Sequence, residues 1–161
     1  QSILEQGEVR ITDPEMTRFM MTIKEAVPLT LGAAAGANGG EIFIFKMPVL
    51  KLNALVDVVI DETCRRAELN KSSIKRVVIG ARPGEKLHEG LFSEDEVVRT
   101  EERKDIFVVH SVDEFERRGR KGWGKVDTSQ LLSDQVKPMS RVEIAEMLER
   151  AGVWSQLGMR A

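Results

Sequence analysis

Alternating strand-like and helix-like segments predict an α/β fold, with too few strands for a complete doubly wound sheet. Three observations carry that expectation. Short apolar, β-prone runs stand at Glu41–Lys46 (EIFIFK) and Ile74–Ile79 (IKRVVI). Leu52, Leu55, Val56, Val59 and Ile60 recur at helical spacing. Three capping boxes, Thr22/Glu25, Ser93/Glu96 and Ser140/Glu143, mark helix starts.

Taken in order, Val9–Thr12 alternates like a strand and Asp13-Pro14 breaks it. Arg18–Met21 reads as a second short strand. Thr22 opens a helix to about Ala35 with Pro28 inside it as a candidate bend, and Gly36–Gly40 is a loop. The strand at Glu41–Lys46 leads to a helix from Leu52 to about Leu69, then to the strand Ile74–Ile79. Gly80 to Gly84 is expected to turn into a helix that Pro83 suits as an early residue. Ile106–His110 reads as a strand, Val112–Arg118 as a short helix and Gly119–Gly124 as a flexible turn. The last helix begins after Ser140, keeps Val142, Ile144, Ala145 and Leu148 near one face and stops at Gly152.

The chain has 161 residues, enough to bury one core. Residues 1–80 carry ten Lys/Arg and ten Asp/Glu, and residues 81–161 carry fourteen and sixteen, so neither half is a basic surface for nucleic acid. The cationic cluster Arg117, Arg118, Arg120, Lys121 and Lys125 is offset by Asp113, Glu114 and Glu116 and reads as a solvated helix end. One cysteine, Cys64, excludes an internal disulfide and any multi-cysteine metal site, and its helical setting reads as a small buried hydrophobe. Two histidines are too few for a His-rich metal site, and no apolar run approaches bilayer length. No metal, nucleic acid or membrane segment is expected, and a reducing cytoplasmic setting fits. The start at Gln1, inside a polar run, reads as a fragment or a processed end.

Gly32 to Gly39 resembles a dinucleotide loop, but the chemistry needs that loop before a helix N-terminus, where free N–H groups face the pyrophosphate. Here a helix leads in and a strand follows, so the stretch reads as a helix end and loop. Two other segments carry chemistry. In Gly80-Ala-Arg82-Pro83-Gly84-Glu85-Lys86-Leu87-His88-Glu89, an arginine fork and an acid project from a turn. A guanidinium pairs bidentately with phosphate, and a carboxylate accepts sugar hydroxyls. An Arg–Glu pair that merely pins the turn is the alternative. In Thr12-Asp13-Pro14-Glu15-Met16-Thr17-Arg18-Phe19, Arg18 sits among apolar neighbours and must reach water, a carboxylate or an anion. Snorkelling at a core edge, or pairing with Asp13 or Glu15, is the plainer reading.

Together, ITDPEMTRFMMTIKEAV, GGEIFIFKMP and IGARPGEKLHEGLFSEDE resemble, in order and spacing, the C-terminal half of polysaccharide-biosynthesis enzymes of the extended short-chain dehydrogenase/reductase class. These are notably the UDP-N-acetylglucosamine 4,6-dehydratases, some also 5-epimerising, and the related UDP-sugar 4-epimerases. The resemblance is dense over residues 8–110 and returns thinly at Leu132–Gly152. It implies a nucleotide-sugar-binding part at 1–110 and a C-terminal extension with a terminal helix at 111–161. It also implies that Arg18 and Arg82 clamp the diphosphate of a UDP-sugar and that Glu85 holds the ribose, with Thr17 a further substrate-binding candidate. Lys86 reads as a surface or ion-pair residue, and His88 and Glu89 as helix stabilisers.

In this class NAD or NADP sits on an N-terminal Rossmann half, where a Tyr-x-x-x-Lys pair moves protons. The full-length reaction oxidises the sugar at C4, eliminates water across C5 and C6 and returns hydride at C6. This chain has no tyrosine. The resemblance therefore implies no catalytic residue and no cofactor held by this chain alone. Its implied partners are a UDP-sugar and its own Rossmann half, within a homo-oligomer when full length.

Overall fold

A computed structural model describes residues 1–159. The helices are α1 (Ser2–Gln6), α2 (Ile23–Gly36), α3 (Leu52–Ala67), α4 (Glu94–Val97), α5 (Val112–Arg117), α6 (Arg141–Ala151) and α7 (Val153–Gln156). The strands are β1 (Glu8–Ile11), β2 (Thr17–Phe19), β3 (Ile42–Phe45), β4 (Val49–Lys51), β5 (Lys75–Val78), β6 (Thr100–Glu102) and β7 (Ile106–Val109). The strand–helix alternation stands, but it builds three small sheets rather than one parallel sheet. β1 pairs with β5 in parallel, β2 with β4 antiparallel, and β3-β7-β6 forms an antiparallel three-stranded sheet.

All three capping boxes form, at Thr22/Glu25, Ser93/Glu96 and Ser140/Glu143. Backbone N–H groups at the caps hold the Glu25, Glu96 and Glu143 carboxyls below the usual carboxylate range. Pro28 lies in the second turn of α2, where it forfeits one ladder bond, and the helix nonetheless continues to Gly36. α3 ends where Glu68 turns left-handed and its N–H returns to the Cys64 carbonyl.

The core falls into two clusters on opposite sides of α3. Ile3, Ile11, Val56, Ile60 and Cys64 pack under β1, so Cys64 is the small buried hydrophobe its pattern suggests. Leu50, Val58, Ile144 and Met147 join β4, α3 and α6. Residues 131–147 are thus built into the same body as β2 and β4. Parallel bridging of Val49 with Pro138 and the Met139 N–H to Val49 O bond (2.7 Å) continue that join. Arg66, 5% exposed, pairs with Glu62 and Glu149 and lies over the Trp154 ring, tying α7 to α3.

α2 packs differently. It has no buried residue, and Ile23, Val27 and Leu31 are exposed. Among the described residues, no helix is long and apolar enough to cross a membrane.

One expected element is missing. Residues 80–91 form an irregular loop, not a helix. Gly80 and Gly84 both adopt positive φ (81° and 83°), which breaks helical progression at each. The loop's polar groups are also taken by distant partners. The Leu87 carbonyl accepts from the Thr17 N–H at 3.1 Å, and the Leu91 N–H donates to Leu131 O at 2.9 Å.

Candidate functional site

β2 runs antiparallel to β4, with Arg18 opposite Leu50, and this places Arg18 beside the 80–91 loop. Met16 is 1% exposed and anchors the turn before β2. Asp13 does not pair with Arg18. Its carboxylate accepts the Glu15 N–H at 2.8 Å and fixes the turn instead. Arg18 turns toward the loop: Nη1 donates to Thr17 O (2.7 Å) and Leu87 O (3.1 Å), and Nη2 donates to Lys86 O (2.8 Å). Glu85 and Glu89 each lie 3.6 Å from the same guanidinium.

Arg82 is placed in the opposite way. It sits on the exposed turn after β5, and its guanidinium makes no hydrogen bond or ion pair with any described residue. Glu85 does pin this turn, but through the backbone. Its carboxylate accepts the Arg82 N–H at 3.1 Å, while the Glu85 N–H donates to Arg82 O at 3.0 Å. The Arg82 fork stays free.

Both arginines and Glu85 open onto one cavity of about 480 Å3, which Ile11, Thr12, Leu52 and Ile79 also line. Its size is within the range of about 300–1,000 Å3 that suits a small ligand. Arg10 of β1 lines it too, held by Glu8 at 2.8 Å, and gives the cleft a third cation. Arg10 was legible only as one polar position in an alternating strand.

Thr17 lines no part of that cavity. It is 4% exposed, and its hydroxyl lies 2.8 Å from His88 Nδ1 and 2.6 Å from Ser133 Oγ. Thr17 supports the wall from behind. His88 and Glu89 serve the same wall rather than stabilising a helix, because residues 80–91 form none. Lys86 is exposed, and its carbonyl, rather than its ammonium, contacts Arg18.

A second groove of about 590 Å3, lined by Met20, Met21, Leu55, Met147 and Leu148, lacks a cationic fork.

The family model described as polysaccharide biosynthesis protein matches residues 1–111. An uncharacterised membrane protein of Methanocaldococcus jannaschii is 46% identical over 110 residues, covering 68% of this chain and 33% of that protein. A UDP-glucose 4-epimerase of Rickettsia rickettsii is 33% identical over 107 residues, covering 66% and 29%. An inverting UDP-N-acetylglucosamine 4,6-dehydratase of Campylobacter jejuni is 32% identical over 111 residues, covering 68% and 30%. The chain thus spans about a third of the length of these curated relatives. The X-ray structure of Pen from Bacillus thuringiensis superposes with a TM-score of 0.81 at 34% identity, covering 94% of this chain and 43% of that one. The family match over residues 1–111 encloses β1, β2, β5 and every cleft residue named above: this chain belongs to the polysaccharide biosynthesis protein family.

Proposed function

We propose that this chain supplies the nucleotide-sugar-binding wall of a UDP-sugar 4,6-dehydratase of surface-polysaccharide synthesis, with the diphosphate seated between Arg82 and Arg18. One observation carries the reading: two arginines from distant segments, one of them with a free fork, open onto a single cavity with Glu85. A diphosphate needs converging positive charge, and a guanidinium retains its charge at any working pH. Arg82 offers the direct bidentate contact. Arg18 donates twice to the loop, at Lys86 O and Leu87 O, and contributes charge and rigidity. Glu85 retains acceptor capacity beyond its one bond to the Arg82 N–H, enough for a ribose hydroxyl. The dehydratase named among the relatives supports the reaction class.

The nicotinamide cofactor belongs to the other half of such an enzyme. Gly32 and Gly36 lie inside α2 at its C-terminal end, where carbonyls rather than N–H groups are unpaired, so this stretch does not suit a pyrophosphate. The exposed apolar face of α2 and the free edge of β3, with Ile42 half exposed, are where the Rossmann half docks.

Calorimetric titration of the protein with UDP, UMP and uridine tests the reading. The second phosphate should strengthen binding about tenfold or more, as a charge-assisted contact does. Equal affinity for UDP and UMP would refute the diphosphate clamp.

A further inference from the structure

The family match stops at residue 111, but the wall behind the cleft is closed by a residue beyond it. Ser133 is 0% exposed. Its Oγ accepts the Glu89 N–H at 2.8 Å and lies 2.6 Å from Thr17 Oγ1. Its backbone N–H donates to Glu89 O at 2.9 Å, and Leu132 bridges antiparallel to Gly90. Three segments therefore meet at one hydroxyl: the strand carrying Arg18, the loop carrying Arg82 and Glu85, and the approach to α6.

We propose that Ser133 is a positioning residue of the nucleotide-sugar cleft, fixing the Arg82 loop at its working distance from the Arg18 strand; this rests on the reading above.

Hydroxyl chemistry gives the contact a direction. Thr17 and Ser133 each have one hydrogen to place. If Thr17 donated to Ser133, the Ser133 hydrogen would be left with the Thr17 carbonyl at 3.4 Å, beyond a good bond. If Ser133 donates to Thr17, Thr17 donates to His88 Nδ1 at 2.8 Å and both hydrogens are well placed. A buried hydroxyl without a partner is costly, so the second order prevails. The chain runs from the Glu89 N–H through Ser133 and Thr17 to His88 Nδ1. A serine serving only as filler in a packed corner would need no such order.

A double-mutant cycle separates positioning from general stability. UDP affinity is measured by calorimetry for wild type, Ser133→Ala, Arg82→Ala and the double variant, with imidazole 15N shifts read for His88. Ser133→Ala should weaken UDP about fivefold or more in the wild-type background and less than about twofold with Arg82→Ala. The imidazole shifts should move in Thr17→Val, which removes the hydroxyl that meets His88 Nδ1, and move less in Ser133→Ala. Thr17→Val cuts the same chain from its other end without a volume change, and should repeat the coupled loss even where Ser133→Ala fails to fold.

Unchanged UDP affinity in Ser133→Ala and Thr17→Val, beside a loss in Arg82→Ala, would overturn the proposal and leave the cleft reading intact. An equal loss in both backgrounds would overturn it too, by showing a general effect. Full binding by Arg82→Ala would instead sink the cleft reading itself.

Discussion

Arg82→Ala is expected to weaken binding of UDP and of a UDP-sugar alike, by about tenfold or more. A bidentate charge-assisted contact to phosphate is worth about 1.5–3 kcal/mol, whereas an exposed ion pair is worth about 0–1 kcal/mol. The Arg82 fork is free in the structure, so phosphate need displace no protein partner. Lys86→Ala should change little, because only its backbone carbonyl is used. Arg82→Lys should recover part of the loss at most, since an ammonium is a point charge without the planar fork. Equal losses for UDP and the UDP-sugar place the contact on the diphosphate. Titration of both ligands against the three variants checks this, and undiminished binding by Arg82→Ala would return the residue to the surface of its turn.

Ile144→Ala destabilises the protein by about 2–5 kcal/mol, the range for truncating a large buried aliphatic side chain. Ile144 is 0% exposed and packs from α6 against Leu50 and Val58. Leu50 belongs to β4, the strand paired with the one that carries Arg18. For a chain of this size the melting temperature should fall by roughly 4–20 °C. Val142→Ala on the same helix, at a position 67% exposed, should stay within about 0.5 kcal/mol of wild type. Thermal melts of both variants decide it. A small and equal effect would mean that α6 is not part of the core.

What the sequence disclosed depended on where each segment's bonds go. β3, α3 and α6 carry their own periodicity or caps and were legible to within a residue or two. β4 and β6, three residues each, were not. The helix expected after Gly80 failed because Pro83 reads locally as a helix start, while the loop's bonds run to Thr17, Leu131 and Ser133. The site divides along the same line. Motif chemistry marked Arg18, Arg82 and Glu85 as candidates beside plainer readings, the family resemblance implied their shared role, and all three line one cavity. Thr17, expected from the resemblance to bind substrate, is buried and does not line that cavity. Ser133 left no sequence signal, since its partners Glu89 and Thr17 are 44 and 116 positions away.

The most direct measurement of the central claim is where UDP touches the protein. Backbone amide and arginine Nε–Hε signals of a 15N-labelled sample should be followed during a UDP titration. The largest shifts should fall on Arg82, Gly84 and Glu85, with Arg10 and Arg18 following and saturating at the same UDP concentration. Shifts concentrated at Met20, Met21 and Met147 around the apolar groove, with Arg82 unmoved, would contradict it.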